Sequence, residues 1–186
     1  MARKILLLAL SLLILAAVYT TGLLRDWYGV PRGPGEITGR ERAPILVSTR
    51  EAEQAAIRAG LTQNIDQDKQ ILFGDLHVHT TNSTDAFLWS MPIFGGEGSH
   101  PLADACDYAR HCSAIDFWAI TDHAEASTPK RWEDTKQSIR ACNALSSSSE
   151  SPDLVSFIGF EWTQVGARPE EHYGHKNVIF KDLEDS

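Results

Sequence analysis

The sequence predicts an α/β protein with parallel strands, preceded by an apolar helix at the amino terminus. Over residues 70–186, apolar runs typical of buried strands alternate with helical segments, which is the pattern of βαβ units. Each of the first three predicted strands ends in histidine or carboxylate residues. Parallel α/β sheets build their sites at that edge. A long apolar run opens the chain.

The apolar run extends from Ile5 to about Leu24, after Arg3 and Lys4. It is about long enough to cross a bilayer as a helix, and it has no polar face. Basic residues on its amino side send the remainder of the chain out of the cytoplasm. We therefore predict that residues 1–25 are a membrane anchor or a signal peptide, with the rest periplasmic or otherwise extracytoplasmic.

Residues 26–69 are predicted to be a linker that contains a short helix. Proline and glycine punctuate the chain up to Pro44. Thr49 is a candidate N-cap for a helix over 50–59, which Gly60 would end. We interpret this segment as a stalk between the membrane and a domain over 70–186.

The domain over 70–186 is predicted to contain strands, two helices and one long loop. The strands lie around 71–79, 116–121, 155–160 and 177–180, and the helices run from Pro101 to about 112 and from about 130 to 145. Connections as long as 80–99 are usually functional in compact domains.

Charge and cysteine content exclude several classes of protein. The 25 acidic and 17 basic residues give a net charge of −8, which argues against a nucleic-acid partner. The 3 cysteines form neither a zinc-finger pattern nor a disulfide framework. Cys106 and Cys112 share a predicted helix and are interpreted as small apolar packing residues. One disulfide in an oxidising compartment remains open.

The strand around 71–79 contains the motif His77-Val78-His79. Side chains alternate along a strand, so both imidazoles lie on the same face. Two imidazoles with a carboxylate nearby form an arrangement that binds a divalent metal. The alternative is a pair of histidines that face solvent or bond to each other.

The next two strands end in Asp122-His123 and in Glu161. His123 is a candidate ligand, and Asp122 is either a helix cap or a group that orients a ligand histidine. Glu161 ends an apolar strand, where a carboxylate needs a partner. A cation is our preferred partner, and an arginine is the alternative.

The remaining candidates lie in loops. His175 precedes the last strand and is a candidate ligand, whereas His172 is a candidate substrate contact or ligand-orienting residue. Asp85 is either a ligand or an ordinary turn residue. We predict metal ligation by His77, His79, Asp85, His123, Glu161 and His175, and catalytic roles for Asp122 and His172.

A set of imidazoles and carboxylates without thiolates suits Zn²⁺, Mn²⁺ or Fe. The set exceeds what one tetrahedral zinc needs, so two or three ions are expected. Such a site favours displacement at a phosphoryl group of a small-molecule ester. Motifs for serine nucleophiles, nucleotide phosphates and dinucleotides are not found in the sequence.

The set of motifs resembles the PHP (polymerase and histidinol phosphatase) superfamily. The resemblance rests on Asp75-Leu76-His77-Val78-His79-Thr80, Thr121-Asp122-His123, Gly159-Phe160-Glu161 and Gly174-His175-Lys176-Asn177. The longer sequence segments around these motifs, between Ile71 and Phe180, are similar to the DUF3604 family. The resemblance implies a distorted seven-stranded TIM-like (β/α) barrel and a metal-dependent phosphoesterase. It also implies metal-ligand positions for His77, His79, His123, Glu161 and His175, with Asp85 where the superfamily often supplies another ligand.

The sequence departs from the superfamily after about four strands. Members close the barrel with later strands and a final Asp-x-His motif, which is not found before Ser186. The resemblance therefore implies an N-terminal fragment that needs the missing part of the barrel, and the activity of these 186 residues alone stays open. The competing functions are a different ester or amide metallohydrolase and a non-catalytic exported module that binds metal or a partner.

Overall fold

The computed structural model describes residues 2–24, 33–60, 71–91, 94, 96 and 100–183. The chain forms two compact units, Met1–Arg32 and Gly33–Ser186. The predicted linker segments 25–32 and 61–70 lie outside the described residues, as does most of 92–99 in the predicted loop.

The amino-terminal unit is the helix α1, Ala2–Leu24. Its span Arg3–Gly22 has a mean hydropathy of 2.3, so it is long and apolar enough to cross a membrane. Two of its hydroxyl groups bond inside the helix, because Ser11 and Thr20 donate to carbonyls four residues earlier. A signal sequence has the same length and composition, so the helix leaves both readings open.

The second unit begins with an extended segment, residues 33–43, that we call the strap. Thr38 and Gly39 donate backbone N–H groups to Asp107 at 2.8 and 3.0 Å. The backbone N–H of Arg42 donates to Asp153 at 2.9 Å, and its guanidinium binds the carbonyls of residues 109, 110 and 115. This part of the predicted stalk is therefore bonded to the domain.

The helix α2 spans Pro44–Gly60, so it begins earlier than predicted. Proline suits the first turn of a helix because its missing N–H would have no partner there. The hydroxyl of Thr49 donates to Ile45 O inside the helix, so Thr49 is not the cap.

Four strands form one curled sheet in the order β1-β2-β3-β4. They are β1 Gly74–Val78, β2 Phe117–Ile120, β3 Val155–Gln164 and β4 Gly174–Ile179. β1, β2 and β3 are parallel, as predicted, but β4 is antiparallel to β3. The prediction of an all-parallel sheet is wrong here because residues 165–173 are too few for a crossover, which needs a dozen or more.

Helices connect the parallel strands. α3, Thr84–Trp89, lies within the predicted loop; α4, Leu102–Asp107, continues into a π-helical turn, Tyr108–Cys112; α5 is Pro129–Asn143. Thr128 caps α5 by accepting the N–H of Arg131.

The hydrophobic core lies where α4 and α5 pack on β2 and β3. Its buried residues are Leu102, Cys106, Ala109, Trp118, Ile120, Ile139, Cys142, Leu154 and Ile158. A disulfide joins Cys106 to Cys142 across a sequence separation of 36 residues. Cys106 packs in the core as predicted and forms the one disulfide that the sequence left open, whereas Cys112 is free and exposed, so its interpretation as a packing residue is wrong.

The sheet is curled so strongly that its first and fourth strands contact each other. The side-chain amide of Asn177 in β4 donates to Leu76 O in β1 at 2.9 Å. On the other side of β1, which is an edge strand, a groove of about 1030 Å³ lies against α4 and the π-helical turn. Among the described residues no strand pairs with the outer edge of β1, and His77 and His79 are among the residues that line the groove.

Candidate metal centre

The first two site residues come from the alternation of side chains along β1. His77 and its near neighbour His79 have ring centroids 4.9 Å apart. His79 is largely enclosed, with 15% of its side chain exposed, whereas His77 is 57% exposed. The motif therefore places one ligand candidate inside the site and one at its mouth.

Parallel pairing brings the second and third strand ends to the same place. The N–H of Thr121 donates to Val78 O, and the N–H of Glu161 donates to Asp122 O at 3.0 Å. His123 and Glu161 form an isolated parallel bridge. Glu161 lies inside β3 rather than at its end, since the strand continues to Gln164.

The antiparallel direction of β4 places its first residues beside the carboxyl end of β3. Gly174 has a φ of 73°, a conformation that glycine adopts without strain, and it turns the chain into β4. His175 pairs with Thr163, and Asn177 pairs with Glu161. His175 is therefore a diagonal neighbour of Glu161, close enough for their side chains to meet.

Glu161 is the centre of the cluster. Its side chain is 2% exposed, and Oε1 lies 2.6 Å from His175 Nδ1. Oε2 lies 2.8 Å from His79 Nε2, 3.3 Å from His77 Nε2 and 3.5 Å from His123 Nε2. Among the described residues its ion-pair partners are histidines and not an arginine.

Asp85 enters the cluster from the first turn of α3. Its Oδ2 lies 3.2 Å from His79 Nδ1 and 3.4 Å from His123 Nε2. A residue of the predicted loop is thus fixed on a helix, with 44% of its side chain exposed to the solvent side of the site.

The donor geometry fits a divalent cation. Nε2 of His79 is buried and has no hydrogen-bond partner, although Oε2 of Glu161 lies only 2.8 Å away. Two ligand atoms that point at one cation would be this close without bonding to each other. The candidate ligand atoms form three groups, and the atoms within each group lie within 4.8 Å of one another. The groups are His77 with His79 and Glu161; His79 with Asp85 and His123; and His123 with Glu161 and His175. Together they contain all six predicted ligands, and they could bind a metal whose type the donors do not fix.

Electrostatics favour the charged forms of the two carboxylates. Burial alone would raise the pKa of Glu161, but the contact with His77 and the nearby charges of His123, His79 and His175 hold it below its ordinary value. Burial would likewise raise the pKa of Asp85, and the bonds from Ala86 N–H and His79 lower it overall. Ionised carboxylates are the form that ligates metal.

The two residues predicted to be catalytic lie away from the centre of the cluster. Asp122 accepts the backbone N–H of Thr80 at 2.6 Å and its hydroxyl at 2.7 Å, and burial raises the pKa of this carboxyl. It therefore fixes the chain just after His79, while a catalytic role for it stays a prediction. His172 is exposed after the turn Pro169–Glu171, and none of the described contacts joins its ring to the cluster.

Sequence reasoning missed three polar partners of the cluster. Ser83 is completely buried against His79 and His123. Thr163 Oγ1 lies 3.2 Å and Glu125 Oε2 lies 3.5 Å from Nδ1 of His123. Such partners fix which ring nitrogen is free for a metal. Thr163 was detectable in principle, since it lies two residues after Glu161 on the same strand face.

Part of the chain is similar to a known protein family. The model of a family described as "Protein of unknown function (DUF3604)" matches residues 66–150, which include His77, His79, Asp85 and His123. This range ends before Glu161 and His175. No curated protein and no solved structure matches the chain.

Proposed function

We propose that this protein is a metal-dependent hydrolase, acting most readily on phosphoesters, with two or three divalent ions held by the six clustered residues. The observation that supports it best is the buried Nε2 of His79, which faces Glu161 without a hydrogen bond. Zn²⁺, Mn²⁺ and Fe are the candidate metals, because imidazole and carboxylate donors suit them.

Each part of the cluster has a distinct task in this proposal. Glu161, buried among four imidazoles, would hold metal through its carboxylate, since each of its oxygens faces a different set of rings. His77, His175 and Asp85, the more exposed members, lie where a substrate would enter. When bound, the ions would supply Lewis acidity toward a phosphoryl oxygen and make water a nucleophile at neutral pH.

We further propose that the sheet is part of a distorted seven-stranded PHP barrel that further chain completes. The curl of four strands and the open edge of β1 support this proposal. Unpaired strand edges are usually covered by another element. The groove beside β1 offers room for one.

An extracytoplasmic location is also part of the proposal. The apolar run of α1 follows the basic residues Arg3 and Lys4 at its amino end, an order that favours export of the later chain from the cytoplasm. The disulfide Cys106–Cys142 supports it independently, since disulfides persist in oxidising compartments. Membrane attachment through α1 would keep the hydrolase near the bilayer.

The test begins with metal content. The full chain, purified in detergent and stripped with chelator, is loaded with Zn²⁺, Mn²⁺ or Fe²⁺, and bound metal is measured by mass spectrometry. Turnover of aryl phosphate mono- and diesters is then compared with that of aryl sulfates, carboxylic esters and amides. We expect two or three ions per chain and metal-dependent turnover of a phosphoester.

Matched variants identify the site. His123→Gln should lose metal and turnover together, whereas His111→Gln changes a histidine of the π-helical turn outside the six ligands and should change neither. Failure of the full chain to bind metal would overturn the whole proposal. Metal-dependent turnover of other esters only would overturn its phosphoester part.

A further inference from the structure

Ser83 occupies the N-cap position of α3 but does not cap that helix. Serine is favoured there because its oxygen accepts an N–H group of the first turn. Here the side chain of Ser83 accepts no N–H from the first turn of α3, although Ser83 is completely buried. The hydroxyl has therefore been directed elsewhere.

The Ser83 hydroxyl joins two predicted ligands from different strands. Its Oγ accepts the backbone N–H of His123 at 2.8 Å and lies 3.2 Å from Nδ1 of His79. One lone pair of Ser83 Oγ thus accepts the N–H of His123, which follows β2, and the other faces the imidazole of His79, which follows β1. Unlike Asp85 and Glu161, which also contact both histidines, Ser83 is not a candidate ligand and bonds the backbone of His123 rather than its ring.

The surroundings of Nδ1 favour one tautomer of His79. Nδ1 lies 3.2 Å from Ser83 Oγ and from both oxygens of Asp85, and because an ionised carboxylate only accepts, these contacts favour a proton on Nδ1. Nε2 is then left with its lone pair, and this is the buried atom without a hydrogen-bond partner beside Glu161.

We infer that Ser83 is a positioning residue of the metal centre: it holds His79 in the Nδ1–H tautomer, so that Nε2 ligates, and sets its distance from His123. The inference rests on the proposed function, because it assumes that the cluster binds metal. Residues that orient ligand histidines typically contribute 10–100-fold to metal affinity.

The experiment uses Co²⁺ as the probe in the full chain, because its visible absorption reports ligand geometry. Ser83→Ala should weaken Co²⁺ binding by about 10–100-fold and change the absorption of the bound ion. Ser83→Thr, which retains a hydroxyl, should recover part of the affinity. Ser138→Ala removes another buried serine, on α5 away from the cluster, and should bind Co²⁺ as the unaltered protein does.

The outcomes separate the inference from the proposed function. If the unaltered chain binds no Co²⁺, both fail. If it binds Co²⁺ and Ser83→Ala does so with equal affinity and an unchanged spectrum, the inference alone fails. Should Ser83→Ala not fold, ¹⁵N NMR of the Zn²⁺-loaded unaltered protein decides: ligation through Nε2 of His79 supports the inference, and ligation through Nδ1 overturns it.

Discussion

The two ends of the same strands are built on opposite principles. Near the amino ends, Arg110 and Asp153 form a buried pair at 2.8 Å, with 0% and 1% of their side chains exposed. Arg42 of the strap adds its own bonds to this pair, and Arg50 binds Asp116. At the carboxyl ends, a buried glutamate faces four imidazoles and one imidazole nitrogen has no hydrogen bond.

This difference indicates a division of labour within one sheet. Matched charges with complete hydrogen bonding stabilise a fold, whereas an unmatched donor set is retained for a ligand. α/β proteins commonly place stability at the amino ends of the strands and chemistry at the carboxyl ends. Variants at the two ends should therefore fail in different ways.

The largest expected effect is on stability, at the amino end. Asp153→Ala leaves Arg110 buried without its partner and should lower the free energy of unfolding by about 3–5 kcal/mol. Denaturant unfolding of the full chain in detergent measures it. Asp134→Ala, which breaks an ion pair to the exposed Lys130, should cost less than about 1 kcal/mol. An equal loss in both variants would contradict the comparison.

The second largest effect on stability is expected from loss of the disulfide. Cys106→Ala with Cys142→Ala opens a constraint across 36 residues and should cost about 2–5 kcal/mol, while the metal affinity of the folded protein stays unchanged. Cys112→Ala is the control, since that thiol is free. A loss of metal affinity in the double variant would show that the two ends are not independent.

At the carboxyl end, Glu161→Gln should weaken metal binding by at least about 100-fold, more than the loss of an orienting residue. The same change should lower the free energy of unfolding of the metal-free protein only slightly, because it removes the imidazole contacts that keep the pKa of Glu161 below its ordinary value but also relieves the burial of a charge. Calorimetric titration with Zn²⁺ and denaturant unfolding measure the two quantities. A strongly destabilised metal-free variant would refute the division of labour.

The smallest effects are expected from pH, with opposite signs at two aspartates. Burial would raise the pKa of Asp153, but bonds from Arg110, Ser146 and Arg42 hold this pKa below the ordinary value of 3.8. The ionised carboxylate therefore stabilises the folded protein above that pH, and this contribution is lost as pH falls through the folded-state pKa. Burial raises the pKa of Asp122 above 3.8, so its contribution declines as pH rises through that range. Unfolding free energies of Asp153→Asn and Asp122→Asn from pH 3 to 7 should therefore change in opposite directions relative to the unaltered protein.

The sequence is sufficient for the residues whose positions follow from local rules. Alternation along a strand places His77 beside His79, and strand ends in a parallel sheet bring His123 and Glu161 to the same edge. His175 was found from its place before a strand, although the direction of that strand was predicted incorrectly. The cluster formed regardless, because β4 begins where β3 ends.

Pairings between distant segments could not be predicted in this way. The partner of Cys106 depends on how α4 packs against α5, and the bonds of Arg42 depend on where the strap lies. Ser83 lies in the predicted loop over 80–99, and only the tertiary structure shows that its hydroxyl contacts two histidines. Local patterns identify such residues but do not assign their partners.

The strap has a mechanical consequence. With α1 held in a bilayer, tension along the chain would reach the domain first at residues 33–43. Its bonds to Asp107 and Asp153 would transmit that load into the helical layer, where the disulfide joins α4 to α5. The hydrogen bonds of the strap therefore go to the helical layer and to Asp153, and none of those described goes to the six candidate ligands.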